Sequence, residues 1–375
     1  MNFIQKLENK ALHIVSFDVP FSPNYGGIID VYNRAKALKE AGWEIHLHCF
    51  EYGRGRDFET SDCATKVHYY ERKKTLLDFF SFLPFIVKSR ADQTLFHNLT
   101  QDNHPVLLEG QHTAFFANSL QKAGKKVAIR QHNVEWEYYQ QLAQQERSLV
   151  KKWFFILESY KLKIHLYSLK KIPFLAITPA DTLSFQSAGF TTHYLPPVIT
   201  ENATVIEERT QRFGLFHGKL SVQENHAAVL RLCAEHIKSP LPFPVKIAGI
   251  NPSDSLRKKV QEAGFELIAN PSHEAMEALK NTAAVHFLFS AQVSGIKFKL
   301  LESLKTRALC IATPALVAGS DLAEFCSVWN EETQLSDFIA AQNQPTNEEL
   351  TNRWETIANR FHPTKTTELI AELFA

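Results

Sequence analysis

A chain of 375 residues is longer than a single hydrophobic core usually supports, about 250–300 residues, so two domains are expected. Its composition, 45% hydrophobic and 22% charged, is typical of a soluble globular protein. The 41 basic and 40 acidic side chains give a formal net charge of +1, which argues against a nucleic-acid partner.

The cysteines and the lengths of the apolar runs indicate the cellular compartment in which the protein is expected. The 5 cysteines form no Cys-x-x-Cys pair, and Cys49, Cys233 and Cys310 lie in apolar runs, as buried reduced thiols do. Residues 1–10 lack the apolar core of a signal peptide, and no uninterrupted apolar stretch reaches the ~18 residues of a membrane span. We therefore expect a cytoplasmic protein.

Short apolar runs alternate with amphipathic stretches along most of the chain. The first set of runs typical of buried parallel strands comprises residues 12–17, 45–50, 106–108, 127–129 and 174–178. The second set comprises residues 213–217, 245–248, 266–269, 285–289 and 309–312. Stretches with helical spacing between them include residues 28–41, 113–122, 225–236 and 297–304. The alternation predicts an α/β protein with two parallel, doubly wound sheets.

The two sheets are expected to join near the Pro-Pro pair at 196–197, because this dipeptide stops regular structure and the residues after it are polar. The predicted domains are residues 1–198 and residues 199–349. The last segment, about residues 350–375, is predicted to be helical, with a break at Pro363, and to pack back on the first domain.

Two stretches combine basic and aromatic residues. Residues 147–171 carry Lys and Arg repeatedly but a single acid, Glu158, and the apolar run 153–157 lies among them. Residues 72–90 repeat the pattern around the apolar run 79–87. Such a charge run is usually the solvated face of a core helix. It also suits peripheral contact with anionic lipid on the inner face of a membrane, or with a lipid-linked acceptor. Both interpretations stay open.

Polar residues and glycines follow the first strand. Asp18 comes directly after it, and Asn24, Gly26 and Gly27 precede the next helix. Glycines at a helix N-terminus allow backbone amides to approach an anion closely, although a tight turn would need them as well. The spacing is not G-x-G-x-x-G, so a nicotinamide site is not supported.

A second polar cluster follows the strand at residues 127–129. Residues at the carboxyl ends of parallel strands face the ligand crevice of a doubly wound sheet. Asn133 as a helix cap and Glu135 in a first helical turn have structural explanations, whereas the sequence offers none for Arg130 and His132. We therefore predict a functional role for this cluster.

The strongest candidate site runs from Ser294 to Glu302, where a small-residue loop leads into a helix. Lys297 and Lys299 at its start oppose the helix macrodipole, which makes sense if a diphosphate binds there. Glu302 lies one turn on and is suited to accept hydrogen bonds from a ribose. A Lys–Glu surface pair, worth only ~0.3–0.5 kcal/mol, is the alternative. A further cation, Lys219, follows the first strand of the second set.

These segments, in their order along the chain, resemble the retaining GT-B glycosyltransferases of family 4, which include bacterial mannosyl- and glucosyltransferases. The matching segments are residues 23–27 with 41–45, Arg130-Gln131-His132-Asn133-Val134-Glu135, residues 178–181, His217-Gly218-Lys219-Leu220 with Glu224-Asn225, and residues 294–302 with Thr313-Pro314 and Gly319. The similarity extends over about residues 12–330.

The resemblance implies two Rossmann-like domains that face each other across a cleft, with the acceptor on the side of residues 1–198 and the nucleotide sugar held by residues 199–349. It implies retaining transfer of a hexose from a UDP- or GDP-sugar to a glycan or lipid-linked acceptor, as in polysaccharide biosynthesis. No cofactor or metal is expected, and the chain has no Asp-x-Asp motif.

The resemblance also implies roles for individual residues. The catalytic residues would be His132, Lys219 and Lys297. Donor binding would involve Gly26, Gly27, Gly218, Gly249, Ser294, Gly295, Ile296, Lys299 and Glu302. The acceptor-side candidates are Asp18, Asn24, Arg130, Asn133 and Glu135.

Two positions depart from the family pattern. Ser294 stands where the donor signature often has a first glutamate, and Lys219 stands in place of the usual arginine, whose guanidinium is bidentate. Two other functions therefore stay open. One is a GT-B nucleotide-sugar epimerase, for which the sequence offers only His132, Glu135 and Asp18 as acid–base groups. The other is a nucleotide-sugar-binding protein with a decayed catalytic site.

Overall fold

The computed structural model describes residues 10–21, 26–51, 53, 62–73, 75, 78–79, 81–146, 148–199, 212–291 and 295–375. The chain divides into two compact units. The first comprises Met1–Thr200 and Phe361–Ala375, and the second comprises Glu201–Arg360.

The first unit contains a seven-stranded parallel sheet in the order β3-β2-β1-β4-β5-β6-β7. Its strands are β1 (Ala11–Ser16), β2 (Glu44–Glu51), β3 (Lys66–Glu71), β4 (Val106–Glu109), β5 (Val127–Gln131), β6 (Phe174–Ala176) and β7 (Thr192–Tyr194). Its helices include α1 (Gly26–Glu40), α2 (Phe85–Lys88), α3 (Gln93–Thr100), α4 (Ala117–Lys122), α5 (Glu135–Gln145), α6 (Leu149–Ser168) and α7 (Pro179–Ser187), and a 3-10 helix spans Gln111–Phe116. The strand order reverses between β1 and β4, so the sheet is doubly wound.

The second unit contains a six-stranded parallel sheet in the order β10-β9-β8-β11-β12-β13. Its strands are β8 (Gly214–Lys219), β9 (Val245–Ile250), β10 (Glu266–Ala269), β11 (Val285–Leu288), β12 (Leu309–Ala312) and β13 (Ser327–Val328). Its helices are α8 (Gln223–Lys238), α9 (Asp254–Glu262), α10 (His273–Thr282), α11 (Phe298–Leu304), α12 (Pro314–Val317), α13 (Leu335–Ala340) and α14 (Asn347–Arg360), with a 3-10 helix at Ala323–Phe325. The predicted fold class, two doubly wound α/β sheets, is confirmed.

The last helix, α15 (Pro363–Phe374), returns to the first unit. It packs against α1, and Ile370 and Phe374 join a core cluster of that unit. Residues 350–360 do not follow it as predicted, because they belong to α14 in the second unit. There the buried Arg353 donates hydrogen bonds to the carbonyl oxygens of Thr306 and Ala308. Pro363 separates the two helices, since proline suits the first turn of a helix and not its interior.

The central strands of the first sheet are buried along their whole length. Every residue of β1, β4 and β5 is buried, as expected of parallel strands with helices on both faces. Three of these residues are nevertheless polar and ionisable: His13, Glu109 and Arg130. Buried groups of this kind need partners, and the partners define two clusters described below.

Candidate functional site

An aromatic ring marks the point in the first unit where the strand order reverses. Phe17 follows β1, and its ring centre lies 5.4 Å from that of His112 and 5.5 Å from that of His132. These histidines follow β4 and β5. A Cβ atom on Gly27 would lie 2.9 Å from the Phe17 ring, so glycine near the start of α1 leaves room for that ring. Gly26 is the first residue of α1. The structure therefore brings Gly27 and His132 to one edge of the sheet, together with His112, which the sequence analysis did not single out.

A buried charge cluster adjoins His132. Its other members are Asp30, Arg34, Glu109 and Arg130, whose side chains are fully buried. Arg34 Nη1 donates to Asp30 Oδ2 at 2.8 Å, and Arg34 Nη2 donates to Glu109 Oε2 at 2.6 Å. Although burial opposes ionisation, Arg130 and Arg34 hold the pKa of Asp30 well below its usual range. Opposite charges compensate within the cluster, which allows ionised groups to remain in an apolar core.

Arg130 is part of this framework, which gives a structural explanation for a side chain predicted to lie on the acceptor side. Its side chain is 0% exposed, Nε donates to Asp30 Oδ2 at 3.0 Å, and Nη1 donates to the carbonyl oxygen of Leu195. It thus ties β5 to α1 and to the segment that follows β7. Its acidic partner Asp30 lies 100 positions away in the chain. One local sign was present, because Asp30 and Arg34 are four residues apart on α1.

His132 is held by the same carboxylates. Its Nε2 lies 2.9 Å from Glu109 Oε2, within hydrogen-bond distance. Its Nδ1 lies 3.5 Å from Asp30 Oδ2 and has no hydrogen-bond partner among the described residues. A carboxylate beside a ring nitrogen fixes the orientation of a histidine side chain.

Glu135 supplies a further acid–base group at this edge. The side chain is buried at the start of α5, and Oε2 lies 3.8 Å from His112 Nε2. Burial raises the pKa of Glu135 to about 7, opposed by a hydrogen bond from Asn133 and by the charge of Arg90. Burial and the charge of Arg90 also hold the pKa of His112 well below its ordinary value. A carboxyl group with a pKa near neutrality is suited to proton transfer.

Asp18 and Asn24 were also predicted to lie on the acceptor side. Asp18 is buried, and its Oδ1 accepts a hydrogen bond from the backbone N–H of Val19 at 2.8 Å. Its carbonyl oxygen accepts one from Ser16 Oγ at 2.5 Å, so Asp18 shapes the turn after β1. Asn24 lies outside the described residues.

In the second unit, Asn225 connects the ends of two strands where the strand order reverses between β8 and β11. Its Nδ2 donates to the carbonyl oxygen of Lys219, the last residue of β8, at 3.1 Å. Its Oδ1 accepts a hydrogen bond from Lys299 Nζ at 3.3 Å. Lys299 also donates to the carbonyl oxygen of Phe289, directly after β11, at 3.1 Å. Lys219 itself is exposed. The structure thus brings Lys219 and Lys299 to one strand edge.

Charge around Lys299 is unbalanced toward the positive. Burial lowers the pKa of Lys299 to about 8, an effect that Glu224 opposes and Lys297 reinforces. Glu224 in turn accepts a hydrogen bond from Ser290 Oγ. Lys297 is the N-cap residue of α11 and not part of its first turn, which begins at Phe298. Two neighbouring lysines, Lys297 and Lys299, suit a polyanion such as a diphosphate.

Glu302 pairs with Lys280 and not with Lys299. Lys280 Nζ lies 3.3 Å from Glu302 Oε2 and also forms an ion pair with Glu277. A Lys299–Glu302 surface pair therefore does not explain the segment. Lys280 comes from α10, and its proximity could not be inferred from spacing along the chain.

The glycines of the predicted donor site have different surroundings. Gly218 and Gly249 are paired in register on β8 and β9, and a Cβ atom on Gly249 would lie 1.9 Å from the carbonyl oxygen of Gly218. Strand packing therefore explains Gly249. Gly295 has φ 71°, in the left-handed region that favours glycine, and Ile296 beside it is buried. Ser294 lies outside the described residues.

A second surface of the first unit is the exposed face of α6, which packs against α5. Its large apolar residues that are 43–82% exposed are Leu149, Val150, Trp153, Leu157, Tyr160, Ile164 and Tyr167. After the adjacent pair Leu149 and Val150 they recur every three or four residues, so they share one face of the helix. Lys151, Lys152 and Lys163 are exposed on the same helix. Among the helices described, none combines the length and apolar character that a membrane span requires.

Solved structures of similar fold cover nearly the whole chain. The structure of Anabaena HepE in complex with UDP and glucose matches with a TM-score of 0.66 at 12% identity, over 97% of this chain and 99% of that one. The chain has the GT-B fold. A glycosyltransferase from Rickettsia africae matches with a TM-score of 0.64 at 12% identity, over 98% of both chains. Sucrose-phosphate synthase from Thermosynechococcus elongatus matches with a TM-score of 0.62 at 16% identity, over 98% of this chain and 95% of that one.

Sequence comparison gives less detail. No protein-family model matches the chain. A curated protein of Klebsiella pneumoniae, named "Uncharacterized 44.6 kDa protein in cps region", is 24% identical over 353 residues, which cover 87% of this chain and 89% of that protein. At these identities the comparisons establish the fold.

Proposed function

We propose that this protein is a glycosyltransferase that transfers a hexose from a UDP- or GDP-sugar, with retention, to a glycan or lipid-linked acceptor. We further propose that it is related to family 4 and acts in the cytoplasm. The observation that carries the proposal is the junction formed by Lys219, Asn225, Lys297 and Lys299 at the β8–β11 switch point. In doubly wound sheets ligands bind outside the carboxyl ends of the strands at such a point. HepE, a protein of the same fold, has been solved with UDP and glucose.

The proposed chemistry depends on charge at the leaving group. As the bond to the anomeric carbon breaks, negative charge develops on the departing nucleoside diphosphate, and stabilising it is the main catalytic demand. Lys219, Lys297 and Lys299 would supply this stabilisation, so we expect activity without added divalent metal. Glu302 forms an ion pair with Lys280, and its carboxylate would accept hydrogen bonds from the ribose hydroxyls. His132 would lie near the transferred sugar.

Nucleotide binding is the first test. We expect UDP or GDP to raise the melting temperature and to bind measurably by calorimetry. Lys299→Ala and Glu302→Ala should each weaken binding more than tenfold. Lys259→Ala serves as the control, because this lysine is exposed on α9 of the same unit and forms an ion pair with Glu262 on the same helix. Wild-type affinity in both site variants would contradict the site assignment.

Turnover is the second test. Incubation with UDP-glucose, UDP-GlcNAc and GDP-mannose should release the matching nucleoside diphosphate slowly by hydrolysis, even without an acceptor. Tight binding of a nucleotide with no release from any donor would instead favour the decayed, binding-only protein.

One observation favours a second candidate, a GT-B nucleotide-sugar epimerase. Glu135 and His112 form a pair at the edge of the first sheet, and the pKa of Glu135 is raised to about 7 by burial. An epimerase needs such acid–base groups. If UDP-GlcNAc is converted to an epimer without an acceptor, and Glu135→Gln abolishes that conversion, the epimerase is correct. Release of UDP with no epimer retains the transferase.

The exposed face of α6 supports a lipid-linked acceptor. An apolar stripe flanked by lysines is the pattern of a helix that lies in a membrane interface and attracts anionic lipid. Lys163 Nζ lies 4.4 Å from the ring centre of Trp136, so this basic group stays close to an aromatic surface. We therefore propose peripheral contact with an anionic membrane through this face.

A further inference from the structure

A group of histidines lies in the first unit on the side of the sheet where β1, β2 and β4 begin, away from Phe17 and His132. The group, called here the histidine cluster, consists of His13, His46, His48, His68 and His104. His13 and His46 are adjacent in register near the amino ends of β1 and β2, and His104 precedes β4. The proposed glycosyl-transfer residues of this unit follow the carboxyl ends of the strands. The histidine cluster is thus separate from them.

Three of the rings lie at the spacing that histidines around one ion would have. The ring centres of His13 and His46 are 5.0 Å apart, those of His46 and His104 are 5.5 Å apart, and those of His13 and His104 are 5.8 Å apart. Imidazoles bound tetrahedrally to zinc, with Zn–N distances of about 2.0–2.1 Å, have ring centres roughly 5 Å apart. Ligand atoms of His13, His46 and Asp102 all lie within 4.8 Å of one another.

We propose that His13, His46 and Asp102 bind a divalent transition-metal ion of the zinc class, with His104, whose Nε2 lies 3.8 Å from Asp102 Oδ2, as the fourth ligand. Imidazole nitrogen and carboxylate oxygen are the ligand types that zinc takes in four-coordinate sites. The site opens to solvent through Asp102 and His104, whose side chains are 30% and 33% exposed. His13 and His46 are buried, so the ion would enter from the side of the loop that precedes β4.

The buried side of the site already contains a second layer of hydrogen bonds. His13 Nδ1 lies 2.9 Å from His48 Nε2, and His48 Nδ1 lies 2.8 Å from Tyr70 Oη. Asn98 Nδ2 donates to the same Tyr70 oxygen at 2.9 Å. When Nε2 of His13 binds the ion, Nδ1–H can donate to His48, whose own Nδ1–H can donate to Tyr70. Such outer partners orient a metal-bound histidine and are a usual part of metal sites.

Two lysines lie close to the site, and the geometry accommodates them. Lys125 Nζ lies 3.1 Å from Asp102 Oδ1. The other oxygen, Oδ2, lies 3.1 Å from His13 Nε2 and 3.8 Å from His104 Nε2, so it can bind the ion while Lys125 keeps Oδ1. His46 Nε2 lies 2.8 Å from Glu44 Oε1, and Lys66 Nζ lies 3.3 Å from the same oxygen, so His46 would bind the ion through Nδ1. The ion would connect β1, β2 and the loop before β4, and would stabilise the first unit without taking part in glycosyl transfer.

Cobalt is the probe for the test, since Co²⁺ occupies zinc sites and absorbs visible light when four-coordinate. The full chain, stripped with a chelator and free of any affinity tag, is titrated with Co²⁺ and then with Zn²⁺. We expect one Co²⁺ per chain, a tetrahedral spectrum, and displacement by Zn²⁺. A hundredfold excess of Zn²⁺ over its Kd should raise the melting temperature by roughly 5–10 °C.

Matched variants decide the assignment. His46→Gln and Asp102→Asn should abolish the Co²⁺ spectrum, and His104→Gln, at the more exposed ligand, should weaken binding at least tenfold. His68→Gln is the control, because His68 stacks on His48 at 4.8 Å and is not a proposed ligand. Far-UV circular dichroism checks folding, and if the first two variants misfold, His104→Gln decides alone. No specific Co²⁺ binding, or unchanged binding in the folded ligand variants, would overturn the proposal. UDP affinity, measured in parallel, should not change in these variants.

Discussion

Lys299 is a lysine whose charge depends on pH near neutrality. Burial, reinforced by Lys297 and opposed by Glu224, lowers its pKa to about 8, and a bound diphosphate would favour the protonated form. Above pH 8 the free protein must therefore take up a proton to bind. We expect the affinity for UDP to fall between pH 7 and pH 9, by up to about tenfold per unit above the pKa. Calorimetry in buffers of different ionisation enthalpy measures both the affinity and the proton uptake.

The matched variant for this prediction is Lys299→Arg. An arginine stays protonated throughout this range, so the pH dependence should disappear even if the affinity is lower. If wild-type affinity is constant from pH 7 to pH 9 with no proton uptake, Lys299 does not contact the diphosphate.

Arg130→Met removes a charge from the buried charge cluster without removing volume. Asp30 would lose a hydrogen bond of 3.0 Å and remain buried with its negative charge only partly compensated by Arg34. Breaking a buried pair in this way typically costs about 3–5 kcal/mol of unfolding free energy. Urea denaturation measures the loss. Lys122→Met, an exposed lysine on α4, should change stability by less than about 0.5 kcal/mol. A cost below 1 kcal/mol for Arg130→Met would be inconsistent with the cluster as described.

The contrast between Arg130 and Lys299 explains what single residues in a sequence can reveal. Arg130 lies near the carboxyl end of β5 and Lys299 near the start of α11, and both were predicted to lie in a functional site. Lys299 remains a candidate because Lys297, two positions earlier in the chain, is also basic. Arg130 is buried beside carboxylates that come from α1 and β4. No local sequence pattern shows which distant carboxylate will pair with a given arginine. The histidine cluster was missed for the same reason, since His13, His46 and His104 are joined only by strand pairing.

Among the elements, α6 shows that hydrophobic periodicity can predict a helix without predicting which of its faces is buried. Apolar residues recur at helical spacing along residues 149–168, which predicts a helix. Leu162 and Leu166 are buried, whereas Leu157 and Ile164 are exposed on the same helix. A helix that is apolar on more than one side does not reveal which side faces the core. The strands were predicted more reliably, because buried parallel strands are apolar throughout. The edge strands β3 and β7 were missed, since their residues are mixed and only partly buried.

The exposed face of α6 predicts binding to anionic vesicles. Charge reversal at Lys151 and Lys152 removes electrostatic attraction worth about 1 kcal/mol per basic residue, so partitioning should weaken more than tenfold. Trp153→Ser should weaken it by loss of apolar contact. Co-sedimentation with phosphatidylglycerol-containing vesicles, compared with purely zwitterionic vesicles and with added salt, measures the effect. Ile237→Ser, at an exposed apolar residue on α8, is the control. If the wild-type protein does not bind anionic vesicles, or the variants bind equally well, the lysines of α6 are only a solvated face.

For the molecule as a whole, the two units differ in chain continuity. The second unit is built from the continuous segment Glu201–Arg360, whereas the first needs Phe361–Ala375 in addition to its N-terminal part. Ile370 is fully buried against the core of the first unit, and Lys126 Nζ donates to the carbonyl oxygen of Phe374 at 3.0 Å. Burial of each large apolar side chain contributes about 1.5–3 kcal/mol. Removal of Phe361–Ala375 should therefore destabilise the first unit and leave the second intact.

This difference leads to a test with fragments. The candidate donor residues Lys219, Lys299 and Glu302 all lie in Glu201–Arg360, so that fragment alone should fold and bind UDP with an affinity within about tenfold of the whole chain. The fragment Met1–Thr200 should show an early, broad unfolding transition, and adding a peptide of residues 361–375 should raise its melting temperature. A stable Met1–Thr200 fragment that is indifferent to the peptide would mean that α15 is dispensable. A folded Glu201–Arg360 fragment without UDP affinity would mean that the nucleotide needs residues of the first unit as well, with His132 and Gly27 the first to be substituted.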